Sequence, residues 1–330
     1  NRETRMNRET RMNRETRMNR ETRMNRETRM NRETRMNRET RMNRETRIRG
    51  KTLKGGAMRG RGLNAGPSPA VSEEGRDRLS GRFSLVGDVA VVSIPPTYEG
   101  EKREIGEAII SSQKNVKTVL NKVSKLEGDR RVASFELIAG GGTATCHREF
   151  GFSYKLDVAG VFFNPRLGSE RMRAASKARA GEMAIVPFAG VGPFAVPVAA
   201  AGARVVAVEI SPEACRWLAE NARLNRVDGN VDIVLGDAFA LCRAMEEKGG
   251  AAGFDRAVIP TPYGRDEILD SIIPLVKPGG AVTFYTFKKR HEIEGLIEEF
   301  EGRGLAVEDH RRCGNVAPAV NRWAFDMVKL

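Results

Sequence analysis

Residues 186–196 read VPFAGVGPFAV. At the centre, Gly190 and Gly192 stand one residue apart within Ala189-Gly190-Val191-Gly192-Pro193, between two apolar runs at 183–186 and 194–198. A Gly-x-Gly turn between a strand and a helix lets backbone N–H groups approach a nucleotide-like cofactor without a Cβ in the way. The stretch from Gly190 to Ala195 also fits the dinucleotide pattern G-x-G-x-x-A. At this point nicotinamide and S-adenosylmethionine both remain open.

Working outward, apolar and helical periods alternate. Strands are expected at 183–188, 204–210, 231–235, 256–259 and 281–287, and a closing pair at 306–310 and 323–328. Between them come helices from the glycine turn to 201, from 212 to 225, at 267–276 and at 292–303. Ser211-Pro212-Glu213 opens the second helix with an N-cap serine, a proline at its first position and an acid in its first turn. Alternation of this kind predicts a parallel sheet with helices on both faces, with its ligand beyond the carboxyl ends of the strands. Upstream, a smaller α+β unit begins at Phe83, with a strand at 86–94, helical periods at 105–111 and 117–123, and strands at 134–138 and 143–147 around Gly140-Gly141-Gly142.

The residues at the predicted strand ends choose between the two cofactors. Glu209 follows Gly190 by 19 residues, where an acid accepts from both ribose hydroxyls of either cofactor. Asp237 ends the third strand and suits an adenine amino group. Pro260-Thr261-Pro262-Tyr263 ends the fourth, a rigid turn with an aromatic ring suited to clamping a flat base. Lys277-Pro278-Gly279-Gly280 precedes the fifth strand. That layout is the one of class I S-adenosylmethionine-dependent methyltransferases and favours this cofactor over nicotinamide.

The net charge is +13 over 330 residues, yet residues 1–66 hold 21 Lys and Arg against 8 Asp and Glu, and the remainder balances at 35 of each. A globally basic core is therefore no argument for nucleic acid. Residues 1–48 are eight copies of the hexamer N-R-E-T-R-M, the last ending in Ile48. A period of six advances about 600° along a helix, so its methionines form no apolar face. We expect a disordered tail over 1–48, a linker over 49–82, a small α+β domain over 83–155 and a methyltransferase domain over 156–330. The four cysteines and three histidines are scattered without metal-ligand spacing. No stretch has the length of a membrane span or the pattern of a secretory signal. The expectation is a cytoplasmic monomer without metal.

The run Val161-Phe162-Phe163-Asn164-Pro165-Arg166-Leu167-Gly168-Ser169-Glu170-Arg171, followed by Phe188-Ala189-Gly190-Val191-Gly192-Pro193-Phe194, resembles the archaeal and eukaryotic tRNA guanine-37 N1-methyltransferases. The wybutosine aminocarboxypropyltransferases are their sisters. Gly87-Asp88-Val89-Ala90, 104–108, 116–120 and Glu220-Asn221-Ala222-Arg223-Leu224-Asn225 extend the likeness over roughly 83–330. The resemblance implies a tRNA-facing first unit that meets the anticodon loop, and a Rossmann-like catalytic unit that takes S-adenosylmethionine through Phe188, Gly190, Gly192, Glu209 and Asp237. It places Arg166 at the reacting guanine. From the residues themselves we expect Arg166 to stabilise charge on O6, the Pro260 carbonyl to orient an N–H and Tyr263 to stack on a flipped base.

Three positions depart from the family. Val186 stands where the family has an acid near the methionine end of the cofactor. Pro260 stands where it has an asparagine near the target base. Residues 49–82 are too short and polar for its N-terminal tRNA-gripping domain. Aminocarboxypropyl transfer to a tRNA base, a protein or small-molecule acceptor, and a non-catalytic RNA-binding role therefore stay open beside tRNA methylation. Two clusters suit phosphates: a local excess of +4 between 111 and 131, and Lys288-Lys289-Arg290.

Overall fold

The computed structural model describes residues 83–124, 133–247 and 253–330. The expected repeat tail and linker, and part of the 111–131 cluster, lie outside the described residues. Two principal sheets organise the chain, of four and seven strands, with a two-stranded ribbon besides.

The four-stranded sheet runs β1-β2-β3-β4: Ser84–Val86, Val89–Val92, Thr118–Lys122 and Phe135–Gly140. The single strand expected at 86–94 is a hairpin, because Gly87-Asp88 turns the chain and pairs Val86 with Val89. Helix α1 (Lys102–Ser112) buries Ile105 and Ile109 in the core of this unit. The helical period expected at 117–123 is instead the strand β3, parallel to β2 and antiparallel to β4. A central strand covered on both faces buries consecutive residues, and Thr118–Asn121 lose the alternation that would have marked them.

The triple glycine does not join a hairpin. It passes from β4 to a separate ribbon of β5 (Ala144–Glu149) and β6 (Phe152–Asp157). The side chains of Asn221 and Asn225 fasten that ribbon to the larger unit. Asn221 Oδ1 accepts from the Lys155 N–H at 2.7 Å and Asn225 Oδ1 from the Ser153 N–H at 3.0 Å.

The seven-stranded sheet has the order β12-β13-β11-β10-β7-β8-β9. Its parallel part is β7 (Met183–Pro187), β8 (Arg204–Glu209), β9 (Val231–Leu235), β10 (Phe254–Ile259) and β11 (Val276–Lys289). The helices are α2 (Gly168–Ser176), α3 (Ala195–Ala200), α4 (Pro212–Leu224), α5 (Ala238–Glu247), α6 (Ile268–Ile272) and α7 (Ile293–Gly302). Ser211 caps α4 as expected, its Oγ accepting from the Ala214 N–H.

Helix α5 was not foreseen, although Asp237 is the capping residue that announces it. The helix expected at 267–276 breaks after one turn, where Pro274 cannot donate to the preceding turn, and the chain is already in β11 at Val276. β12 (Leu305–Ala317) and β13 (Val320–Lys329) are longer than their apolar patterns. The outer part of β12 is exposed on both faces, so only its pairing with β13 marks it as strand.

The chain winds from β7 outward to β9, then returns to β10 on the other side of β7. This reversal opens a crevice at the carboxyl ends of β7, β8 and β10. Val86, Val89 and Leu120 of the smaller sheet share one apolar cluster with Val186 of the larger and with Val191 and Phe194 of its glycine loop. Both sheets are thereby packed as walls of that crevice. No helix of the described residues is long and apolar enough to cross a membrane.

Candidate active site

A cleft of about 810 Å³ fills the crevice. Arg166, Phe188, Gly190, Glu209, Pro260 and Tyr263 line it together, though they come from four separate stretches of sequence. Gly192 and Asp237 are not among its walls.

The two glycines of the opening motif do different work. Both have positive φ, +55° at Gly190 and +93° at Gly192. A Cβ on Gly190 would meet no atom within 4 Å, so this glycine keeps the backbone open to the cleft. A Cβ on Gly192 would come within 2.3 Å of Leu218 Cδ1, so this one lets α4 pack close beneath the loop. At Gly192, which the resemblance places at the cofactor, the space an added Cβ would take is filled by Leu218 and Val196. We therefore expect Gly192→Ala to lower the melting temperature sharply, through steric overlap added to about 1–2 kcal/mol of left-handed strain. Gly190→Ala should carry the strain alone and reduce ligand affinity more than stability. Calorimetry and thermal melts on the pair check this, and equal melting temperatures would refute the division of roles.

Phe188 enters the loop with φ +53°, a conformation rare for a bulky residue and found where a site over-determines its backbone. Its ring meets Phe239 at 6.3 Å. Asp237 sits beside that pair, but exposed, with Oδ1 accepting the Phe239 N–H at 2.9 Å. That bond makes it the N-cap of α5.

Glu209 is 9% exposed. Oε2 accepts from the Gly190 N–H at 2.8 Å and Oε1 from the Ser211 N–H at 2.9 Å. One carboxylate thus ties the glycine loop to the start of α4 while lining the cleft. Each oxygen has a second lone pair, and an ionised carboxylate accepts up to about four bonds. The donor set fits a ribose diol.

Across the cleft, Asn164-Pro165-Arg166 forms a turn in which Asn164 Oδ1 accepts the Arg166 N–H at 3.0 Å. The Arg166 guanidinium is exposed and donates to Ser84 Oγ at 3.3 Å, joining the motif to the smaller sheet. Five residues on, Arg171 is 1% exposed. It forks onto Glu149 with two bonds of 2.5 Å, donates to the Asn164 carbonyl at 3.0 Å and lies 5.0 Å from the Phe163 ring centre. Sequence reading quoted Arg171 in its motif without assigning it this role. Burial alone would raise the Glu149 carboxyl, but the His147 and Arg171 bonds outweigh it and hold Glu149 below the usual carboxylate range.

The wall beyond Pro260 is aromatic. Tyr263 is 56% exposed and meets Phe287 edge-on at 5.5 Å. Neither Phe287 nor Arg322, which lies over it, was legible as a site residue, because only the pairing of β11 with β13 brings them there. Lys122, Arg166, Arg171 and Arg322 line the cleft, and Glu209 is the one carboxylate among its lining residues. This concentrates positive charge that the balanced composition of 67–330 conceals. Burial pushes the Cys313 thiol, also in the wall, up to about 12, so at neutral pH it is a thiol and not a nucleophile.

Comparison with known proteins agrees with this geometry. The family described as TRM5/TYW2 methyltransferase domain matches residues 145–308, and the one described as TYW2 N-terminal domain matches 68–143. The tRNA (guanine(37)-N(1))-methyltransferase Trm5b of Pyrococcus abyssi is 41% identical over 264 residues, covering 78% of this chain and 77% of that protein. The tRNA(Phe) (4-demethylwyosine(37)-C(7)) aminocarboxypropyltransferase of Pyrococcus horikoshii is 38% identical over 162 residues, 49% of this chain and 58% of that protein. Among solved structures, Pyrococcus abyssi Trm5b has a TM-score of 0.70 at 34% identity, covering 82% of this chain and 81% of that one. The complex of aTrm5 with tRNALeu has a TM-score of 0.68 at 28% identity, covering 76% and 73%. Pyrococcus horikoshii TYW2 in complex with MeSAdo has 0.65 at 27%, covering 80% and 97%. With the glycine loop, the carboxylate cradle and the Pro-Arg-Leu turn converging on one cleft, this chain belongs to the TRM5/TYW2 methyltransferase family.

Proposed function

We propose that this protein modifies tRNA beside the anticodon, transferring a methyl group from S-adenosylmethionine to N1 of guanine 37. The observation that carries the proposal is one cleft in which the Glu209–Gly190–Ser211 cradle shares its space with the cationic side chains of Lys122 and Arg166. A cofactor ribose and a polyanion are thereby served in the same space. The Pyrococcus abyssi relative supports the acceptor, and the aTrm5 complex supports tRNA as partner.

In this reading Glu209 holds the ribose, Gly190 leaves room for the cofactor, and Phe188 and Asp237 flank the adenine. The cofactor supplies a methyl already activated by its sulfonium. The chain must align the acceptor and accommodate its proton and charge. Arg166, exposed in the cleft, stabilises negative charge on O6. The Pro260 carbonyl orients the N–H, and Tyr263 stacks on the base. Residues 83–155 form the tRNA-facing unit and 156–330 the catalytic one.

Aminocarboxypropyl transfer is the second reading, favoured by the TYW2 N-terminal match at 68–143. Incubation of the full chain with S-adenosylmethionine and archaeal-type tRNA, followed by nucleoside mass spectrometry, separates the two by product mass. Unmodified tRNA would overturn both.

Arg166→Ala should slow transfer by about tenfold to a hundredfold with little change in tRNA affinity, since its contact strengthens only as charge develops. Lys122→Ala should instead weaken tRNA binding and flatten its salt dependence. Lys117, also basic, is engaged with Asp88 at 3.0 Å and should contribute less. Single-turnover rates beside filter-binding titrations read both effects, and a pure affinity loss in Arg166→Ala would remove it from the chemistry.

A further inference from the structure

Two residues of the cleft, Phe287 and Arg322, have no part in the roles assigned so far. Phe287, near the end of β11, stands directly opposite Arg322 in the antiparallel pairing with β13. The Arg322 guanidinium lies over the Phe287 ring, 4.6 Å from its centre. Phe287 in turn meets Tyr263 at 5.5 Å and 61°. The three side chains come from β13, from β11 and from the loop after β10, and all line the cleft.

The local fold explains how the arginine comes to lie over the ring. The pairing of β12 with β13 is interrupted between Arg312 and Gly314, so Gly314 faces Arg322. The nearest approach of a Cβ built on Gly314 is to Arg322 Cβ at 4.0 Å, so the residue paired with Arg322 adds no side chain beside the guanidinium. A guanidinium held over an aromatic face is attracted by the ring's negative charge distribution, and such a pair restrains both partners. The restraint passes to Tyr263, whose exposed ring has Phe287 as its edge-on neighbour.

We propose that Arg322 is a positioning residue for the acceptor base: by pinning Phe287 it sets the pitch of the Tyr263 face on which the base stacks. The proposal rests on the tRNA reading above and extends it to two residues outside the loop motifs. Two purine-like acceptors differ little in charge but differ in where the reacting atom falls once the base is stacked. A tilt of the platform therefore moves the attacking atom off line without abolishing binding.

The test is a double-mutant cycle on the full chain, using a tRNA transcript bearing guanosine 37 and S-adenosylmethionine. Arg322→Ala should lower kcat by about tenfold while KM for tRNA and calorimetric affinity for S-adenosylmethionine stay within about twofold. Arg322→Lys should recover most of the rate, because an ammonium also sits over a ring. Phe287→Leu should lose as much as Arg322→Ala, and the double variant no more than either alone. Multiplicative losses, or a loss confined to tRNA affinity with a flatter salt slope, would overturn the proposal by making Arg322 a phosphate contact. Wild-type protein that leaves tRNA unmodified would instead overturn the functional reading and this extension with it. Thermal melts of each variant separate these outcomes from failure to fold.

Discussion

Glu209→Ala lowers the affinity for S-adenosylmethionine by at least tenfold while the protein remains folded. The expectation follows from what the carboxylate already holds. It accepts from the Gly190 and Ser211 N–H groups and, in the proposed complex, from the ribose as well. Hydrogen bonds to charged groups are worth roughly 1.5–3 kcal/mol each, so loss of the ribose contact alone accounts for tenfold. Loss of the tie between the glycine loop and α4 adds to it, because the loop must then be ordered by the ligand. Glu209→Gln is the sharper variant. An amide has one acceptor oxygen for two backbone donors, so one N–H is left facing an NH2 group. It should bind nearly as weakly as the alanine variant despite its similar size. Isothermal calorimetry reads both, and unchanged affinity in either would exclude the ribose role.

The legible parts of this protein are those where local chemistry and fold agree. Ser211-Pro212-Glu213 announces α4 without tertiary context, and Gly190 and Glu209 lie at the carboxyl ends of adjacent parallel strands, as the alternation of elements demands. Gly192 was legible as a constrained position but not in its packing role, because Leu218, the residue it makes room for, is on α4 and not on the α3 that follows the loop. β3 was misread because burial on both faces erases the alternation that identifies a strand. The outer half of β12 was missed for the opposite reason: beyond His310 only Cys313 is even partly buried. Phe287 and Arg322 belong to a third kind. Nothing at either position marks it, and only the β11–β13 register makes them neighbours.

Arg171→Met should be the most destabilising single change described, costing roughly 3–5 kcal/mol, because it leaves Glu149 buried without its cation. The melting temperature should fall accordingly, and the penalty should depend on pH in a defined direction. In the wild type, burial would raise the Glu149 carboxyl, but His147 and Arg171 together hold it below the usual range. A carboxylate whose folded value is depressed contributes stability above its unfolded value, and that contribution fades as pH falls through the folded one. His147 Nδ1 accepts the Gly87 N–H, which leaves the proton on Nε2, 3.4 Å from Glu149. That Nε2–H contact with Glu149 remains when Arg171 is gone. In Arg171→Met burial is opposed by His147 without the guanidinium, so the Glu149 carboxyl rises relative to the wild type and its protonated form is better tolerated. Acidification should then weaken the wild type while relieving the variant, and the gap between their unfolding free energies should narrow below the ordinary carboxylate range. Chemical denaturation of both proteins across that range measures the gap, and a constant difference would show that the loss comes from packing on Phe163 and not from the ion pair. The variant should also lose activity at neutral pH, since Arg171 donates to the Asn164 carbonyl and that turn carries Arg166. If Arg171→Lys restores stability but not turnover, the planar fork is what sets the turn, because an ammonium matches the charge of Glu149 but does not reproduce its bidentate geometry.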